Sequence, residues 1–120
     1  MQRRSLVWRV ALSAVCIGTA RAEFVDGNRL KGWLDADARV EAKQQAPSQQ
    51  DIFDAGRAQG FVIAVWDVGI DAHFCVASPN PVTLEQVMAV ARKYLEANPA
   101  RWSSTAHSLV QESFRRSCKR

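Results

Sequence analysis

Apolar residues return at helical spacing in four stretches of the chain. Leu30, Trp33 and Leu34 share one face of a short helix for which Asp26 is the natural N-cap, although Gly27 and Gly32 weaken it. Ser48, followed three residues later by Asp51, announces a longer helix over roughly residues 49–70. Its second half, Phe61-Val62-Ile63-Ala64-Val65-Trp66, is apolar on nearly every side, which predicts a helix buried among others. A β-branched strand is the competing reading of that run. Leu84, Val87, Met88, Ala91 and Leu95 form a third stripe, with Arg92, Lys93 and Glu96 outside it. Ala106, Leu109, Val110 and Phe114 form the fourth, and Arg115 and Arg116 suit the negative end of that helix. Gly56, Gly60 and Ala64 recur every four residues along the second helix. That row reads as a tight helix contact in a soluble core, since no apolar span of about 20 residues surrounds it.

Breaks between these stretches are equally marked. Residues 39–50 shift to Ala, Gln, Lys and Glu with one Pro and predict a mobile connection. Residues 74–86 form a corner: Pro79, Asn80 and Pro81 forbid a continuous helix, and Thr83 with Gln86 is a capping box. Val82 and Val87 stand where a hydrophobic staple would fix the angle of the chain. Asn98-Pro99 stops the third helix, and Ser103 or Ser104 is expected to cap the fourth. The fold class that follows is all-α, a small helical bundle of about four helices with one disulfide.

The start of the chain changes its charge. Arg3 and Arg4 precede an apolar run from Val10 to Ile17, and Ala20-Arg21-Ala22 is an A-x-A site. This order is that of a secretory signal peptide over residues 1–22 with cleavage after Ala22, leaving a domain of residues 23–120. A lipidated start at Cys16 is disfavoured by the bulky Val15 before it. The 120-residue chain has a formal charge of +4, but Arg3, Arg4, Arg9 and Arg21 leave with the signal. Twelve basic residues then face twelve acidic ones. A neutral domain gives no argument for nucleic-acid binding and leaves recognition to local patches.

Cys75 and Cys118 remain after the signal, and an even pair in an exported domain reads as a disulfide. That pairing also weakens the chemistry nearby. Asp71, His73 and Cys75 alternate and would face one way on an extended segment, but a disulfide sulfur is neither a metal ligand nor a nucleophile. His107 has no acid at helical spacing before it, and no nucleophile elbow, zinc-protease helix or phosphate-binding glycine loop is present. No catalytic constellation, metal site or cofactor is expected.

A family resemblance emerges from an ordered set of fragments. Gly27-Asn28-x-Leu30, Gly60-Phe61-Val62 with Val65-Trp66-Asp67, Phe74-Cys75, Pro81-Val82-Thr83-Leu84-x-Gln86, Lys93-Tyr94-Leu95 with Asn98-Pro99, and Ser108-Leu109-Val110 running to Cys118 resemble the Rap/Tai immunity proteins. Members of that family are small helical periplasmic proteins that bind type VI secretion peptidoglycan amidases and block their active sites. Two further cysteines usual in the family are replaced here by Trp33 or Leu34 and by Ala58, so the resemblance implies loss of one bridge and retention of Cys75–Cys118.

The resemblance implies a non-enzymatic immunity protein in the periplasm, partnered by an exported amidase toxin. It implies no nucleic acid, no membrane contact once the signal is removed, and leaves a homodimer open. A periplasmic interaction protein of the same fold with another partner is the alternative, and an enzyme using Asp71, His73 and Cys75 is the remaining one. Large rigid side chains not spent on a core are the expected anchors for a toxin. Arg101 and Trp102, in what reads as a protruding loop between two helices, and His73 and Phe74 at the corner are the candidates.

Overall fold

Helix starts follow the capping residues in the computed structural model, which describes residues 24–43, 46–69, 74–75 and 82–118. The expected signal segment, residues 1–22, and the candidate residues Asp71 and His73 lie outside the described residues. Among the described residues four α-helices are present: α1 (Gly27–Ala42), α2 (Gln49–Gly69), α3 (Leu84–Ala97) and α4 (Ala106–Arg116). A single 3₁₀ turn, Pro99–Arg101, joins the last two.

Local chemistry accounts for most of the boundaries. The Asp26 carboxylate accepts from Arg29 N–H at 2.8 Å, and Ser48 Oγ accepts from Asp51 N–H at 3.0 Å. At the start of α3 the capping box is complete: Thr83 Oγ1 accepts from Gln86 N–H, and Gln86 Oε1 accepts from Thr83 N–H. Two expectations are corrected. Helix α1 continues through Ala42, so residues 39–42 belong to that helix and not to the expected connection. The composition that read as a linker is also that of a solvated helix end. Helix α4 is capped by Thr105, not Ser103 or Ser104: its Oγ1 accepts from Ser108 N–H at 3.1 Å.

All four helices contribute to one core. Leu30 and Leu34 of α1 meet Ala58, Val62 and Val65 of α2, Val87, Met88, Ala91 and Leu95 of α3, and Leu109, Val110 and Phe114 of α4. Leu34 and Ala58 are both fully buried, so apolar packing fills that region between α1 and α2. Leu84 departs from the expected α3 stripe and is exposed, while Tyr94 is buried in addition.

Among the described residues the core also holds one carboxylate. Asp37 is fully buried on α1. Its Oδ2 accepts from Arg92 Nη2 of α3 at 2.8 Å and its Oδ1 from Gln59 Nε2 of α2 at 2.8 Å. Arg92 also lies 3.6 Å from Glu41. One buried acid thus ties three helices, because its charge is tolerated only when paired and hydrogen-bonded. At the surface, Arg39 donates to Asp51 at 2.8 Å across the α1–α2 connection, and that bond holds the Asp51 carboxyl below its ordinary range.

Helix α2 corrects another expectation. Its buried residues, Ala55, Ala58, Val62, Val65 and Gly69, occupy one face. Gly56, Gly60 and Ala64 lie on the other and are exposed. They are not a core contact: a Cβ placed on Gly56 or Gly60 would meet nothing within 4 Å.

Candidate interaction surface

The segment after α3 reverses direction through three ties. Asn98 caps α3 with its backbone N–H bonded to the Leu95 carbonyl, and Pro99 opens the 3₁₀ turn. Arg101 of that turn donates from Nη1 to the Tyr94 hydroxyl. Trp102 folds back on α3, its indole N–H bonded to the Leu95 carbonyl at 2.8 Å.

The backbone of this segment completes α1. An α-helix begins with four N–H groups that have no partner inside it. Here Gly27 N–H donates to Ser104 O and Asn28 N–H to Trp102 O, both at 2.9 Å, and Asn28 Nδ2 adds a bond to Trp102 O at 3.2 Å. Asp26 receives the other two, from Arg29 and Leu30. In return Ala106 N–H, at the start of α4, donates to Val25 O at 3.0 Å, and Asp26 pairs with Thr105 in an isolated antiparallel bridge. The loop expected to protrude is therefore clasped between the beginnings of α1 and α4.

Gly27 shows how tight the clasp is. A Cβ there would stand 2.7 Å from the Trp102 backbone and 2.6 Å from Leu109 Cδ1. Gly27→Ala should cost about 1–3 kcal/mol through overpacking. Denaturant titration of the variant should show the loss with no change in slope.

What remains accessible lies beside the clasp. Val90, Lys93 and Tyr94 of α3 and Ser113 and Arg116 of α4 line an open groove of about 240 Å³. The Arg116 guanidinium stands 5.7 Å from the Tyr94 ring centroid and donates to Glu112 at 2.8 Å. That bond holds the Glu112 carboxyl below its ordinary range. Arg101 and Arg116 therefore both bear on Tyr94, giving an apolar floor with a basic rim. Sequence reading singled out Arg101 but missed Tyr94 and Arg116, since only the packing of α3 on α4 brings them together.

The corner is organised by the disulfide. Cys75 and Cys118 are bonded, with their Cα atoms 4.9 Å apart, and Cys75 N–H donates to Phe114 O at 3.3 Å. Phe74 beside it is half-buried, its ring 5.3 Å from Phe114 and 6.0 Å from Trp66. Trp66 meets Phe114 edge-on at 5.0 Å. Gly69 lets Phe74 lie against α2, where a Cβ would overlap the ring. Phe74 is thus held in an aromatic cluster under the bridge, while His73 lies outside the described residues.

Among the described residues no three His, Cys, Asp or Glu side chains stand close enough to hold a metal ion, and no helix is long and apolar enough to cross a membrane. No curated protein and no solved structure matches the chain. The family model described as Rap1a immunity proteins matches residues 15–118, nearly the whole chain. With four helices, a Cys75–Cys118 bridge and that match together, the chain belongs to the Rap1a immunity protein family.

Proposed function

We propose that the protein is a periplasmic immunity protein that binds an exported type VI secretion peptidoglycan amidase and blocks its active site. The family match over residues 15–118 carries this reading. It is supported by the signal-type start, with Arg3 and Arg4, the apolar run from Val10 to Ile17 and Ala20-Arg21-Ala22. Protection on this reading is steric: the bundle occupies the toxin and performs no reaction.

The toxin-facing region we assign is the α3–α4 end, with Arg101 and Trp102 beside the basic-rimmed groove, and the corner with His73 and Phe74 as its second part. The two loop residues should separate experimentally. Trp102→Ala removes a ring bonded to α3, so it should lower stability by about 1–3 kcal/mol as well as weaken binding. Arg101→Ala should leave the melting temperature within a few degrees and lower toxin affinity. An unchanged affinity in the arginine variant would move the contact elsewhere.

The reading itself is tested with an exported amidase encoded beside this protein. The purified pair should form a stable complex, and hydrolysis of peptidoglycan should stop at stoichiometric protein. Full hydrolysis in the presence of excess protein would overturn it. The mass of protein recovered from a periplasmic extract should correspond to residues 23–120.

A further inference from the structure

The charged and phenolic groups around the α3–α4 groove are almost all hydrogen-bond donors. Lys93 and Arg116 stand at its rim, and neither side chain has an acceptor atom. Arg116 gives its Nε to Glu112 at 2.8 Å, and among the described residues its two Nη groups have no carboxylate partner. The Tyr94 hydroxyl accepts from Arg101 Nη1, and an arginine can only donate. Among the described residues no acceptor takes the phenolic proton, so Tyr94 is left to donate as well. The two serines have spent their protons: Ser113 Oγ donates to the Val110 carbonyl at 2.6 Å and Ser117 Oγ to the Ser113 carbonyl at 3.0 Å.

Charge is a second, independent sign. Lys93, Arg101 and Arg115 form no ion pair among the described residues. Glu112 is the carboxylate set among them, held down first by its bond from Arg116 and further by the charges of Arg101 and Arg115. Four cations thus meet one anion, in a chain whose residues beyond the expected signal balance twelve against twelve. The dipole of α4 accounts for Arg115 and Arg116 in its last turn. It does not account for Lys93, inside α3, or for Arg101 in the 3₁₀ turn. Size narrows the occupant. The groove holds about 240 Å³ and is open, below the about 300–1,000 Å³ of enclosed small-molecule sites. It admits a side chain, and its floor of Val90 and the Tyr94 ring suits one with an apolar stem.

We infer that this groove receives a carboxylate side chain from an acidic segment of the toxin, its stem on the Val90–Tyr94 floor and its oxygens between Lys93, the Tyr94 hydroxyl and Arg116. The inference rests on the toxin reading above and adds the chemistry of the segment that binds. Glu112 has a part in it. By occupying Nε it fixes the plane of the Arg116 guanidinium over the Tyr94 ring and leaves the Nη edge for a second carboxylate. Arg101 acts through Tyr94, since its donation to the phenolic oxygen turns the hydroxyl proton toward the incoming acid. Opposite potentials facing each other in this way set partner choice and speed encounter more than they add raw affinity.

The test uses the mature protein and the exported amidase encoded beside it, with affinity read by calorimetry at several salt concentrations. Wild type should bind, and more weakly as salt rises, because salt screens exposed charges. Lys93→Gln with Arg116→Gln should keep helicity and melting temperature, weaken binding at least about tenfold at low salt, and flatten its salt dependence. Tyr94→Phe keeps the floor and loses the donor, so it should weaken binding severalfold. Glu112→Gln separates recognition from support. It removes the competing charge, so affinity should hold or rise. A loss as large as that of the double variant would make Arg116 and Glu112 a structural pair and overturn the inference. Direct pairing is read by reversal: Lys93→Glu with Arg116→Glu should abolish binding, and lysine in place of one acidic residue of the amidase should restore it. Rescue by none of its acidic residues overturns the pairing. Full affinity in the glutamine double variant rejects the groove and leaves the toxin reading in place, whereas no binding by wild type removes that reading and the inference with it.

Discussion

Asp37→Ala should be the most damaging single substitution of a polar residue, lowering stability by about 3–5 kcal/mol. The carboxylate is fully buried and joins α1 to Gln59 of α2 and Arg92 of α3. Its removal strands a guanidinium whose Nε already lacks a partner among the described residues. Among the described residues the charge of Arg92 would then have only Glu41, 3.6 Å away and half in solvent. Conversion of both residues to leucine separates the cost of an orphaned charge from the worth of the pair. Buried ion pairs are often replaced by apolar residues at little cost. Asp37→Leu with Arg92→Leu should therefore recover most of the loss, giving a large coupling energy in a double-mutant cycle. Additive losses would mean that the pair matters only through packing.

Reduction of Cys75–Cys118 should be the second large effect. The bridge spans 43 positions, for which the chain-entropy estimate is about 4 kcal/mol. In a domain of this size each kilocalorie moves the melting temperature by roughly 4–8 °C. A drop on the order of 15 °C or more is expected, read by circular dichroism with and without reductant. The aromatic cluster offers an internal comparison. The contacts of Phe74 with Trp66 and Phe114 do not involve the sulfurs, so Phe74→Ala should destabilise the reduced protein further. Equal melting of oxidised and reduced wild type would show that packing alone holds the corner.

Legibility in the sequence followed the range of the interactions involved. Asp26, Ser48 and Thr83 could be read as helix starts because a cap bonds within three residues of itself. The α4 cap was misplaced because Ser104 turns its carbonyl to Gly27, far away in sequence, and leaves capping to Thr105. The disulfide was legible by counting cysteines. Asp37 left a usable signal: with Leu30 and Leu34 it falls on the buried stripe of α1, where a lone acid demands a partner. The face of α2 was hidden because both its sides are apolar over residues 61–66, so periodicity carried no contrast. Trp102 was read as a loop residue free for binding. Its role as acceptor for the first turn of α1 depends on a contact 74 positions away, which no local pattern reveals.

The clasp between the beginning of α1 and the segment before α4 has a consequence in time. A chain is made from its N-terminus, yet the carbonyls that complete the first turn of α1 belong to Trp102 and Ser104. The bridge that fixes the corner awaits Cys118, 43 positions after Cys75. Contacts so distant in sequence form late, since closing long loops is slow. The N-terminal two-thirds therefore cannot reach their final arrangement while still emerging from the ribosome. Such a polypeptide remains threadable until the segment from Trp102 to Cys118 has been made, and that segment, once present, locks the whole bundle at once.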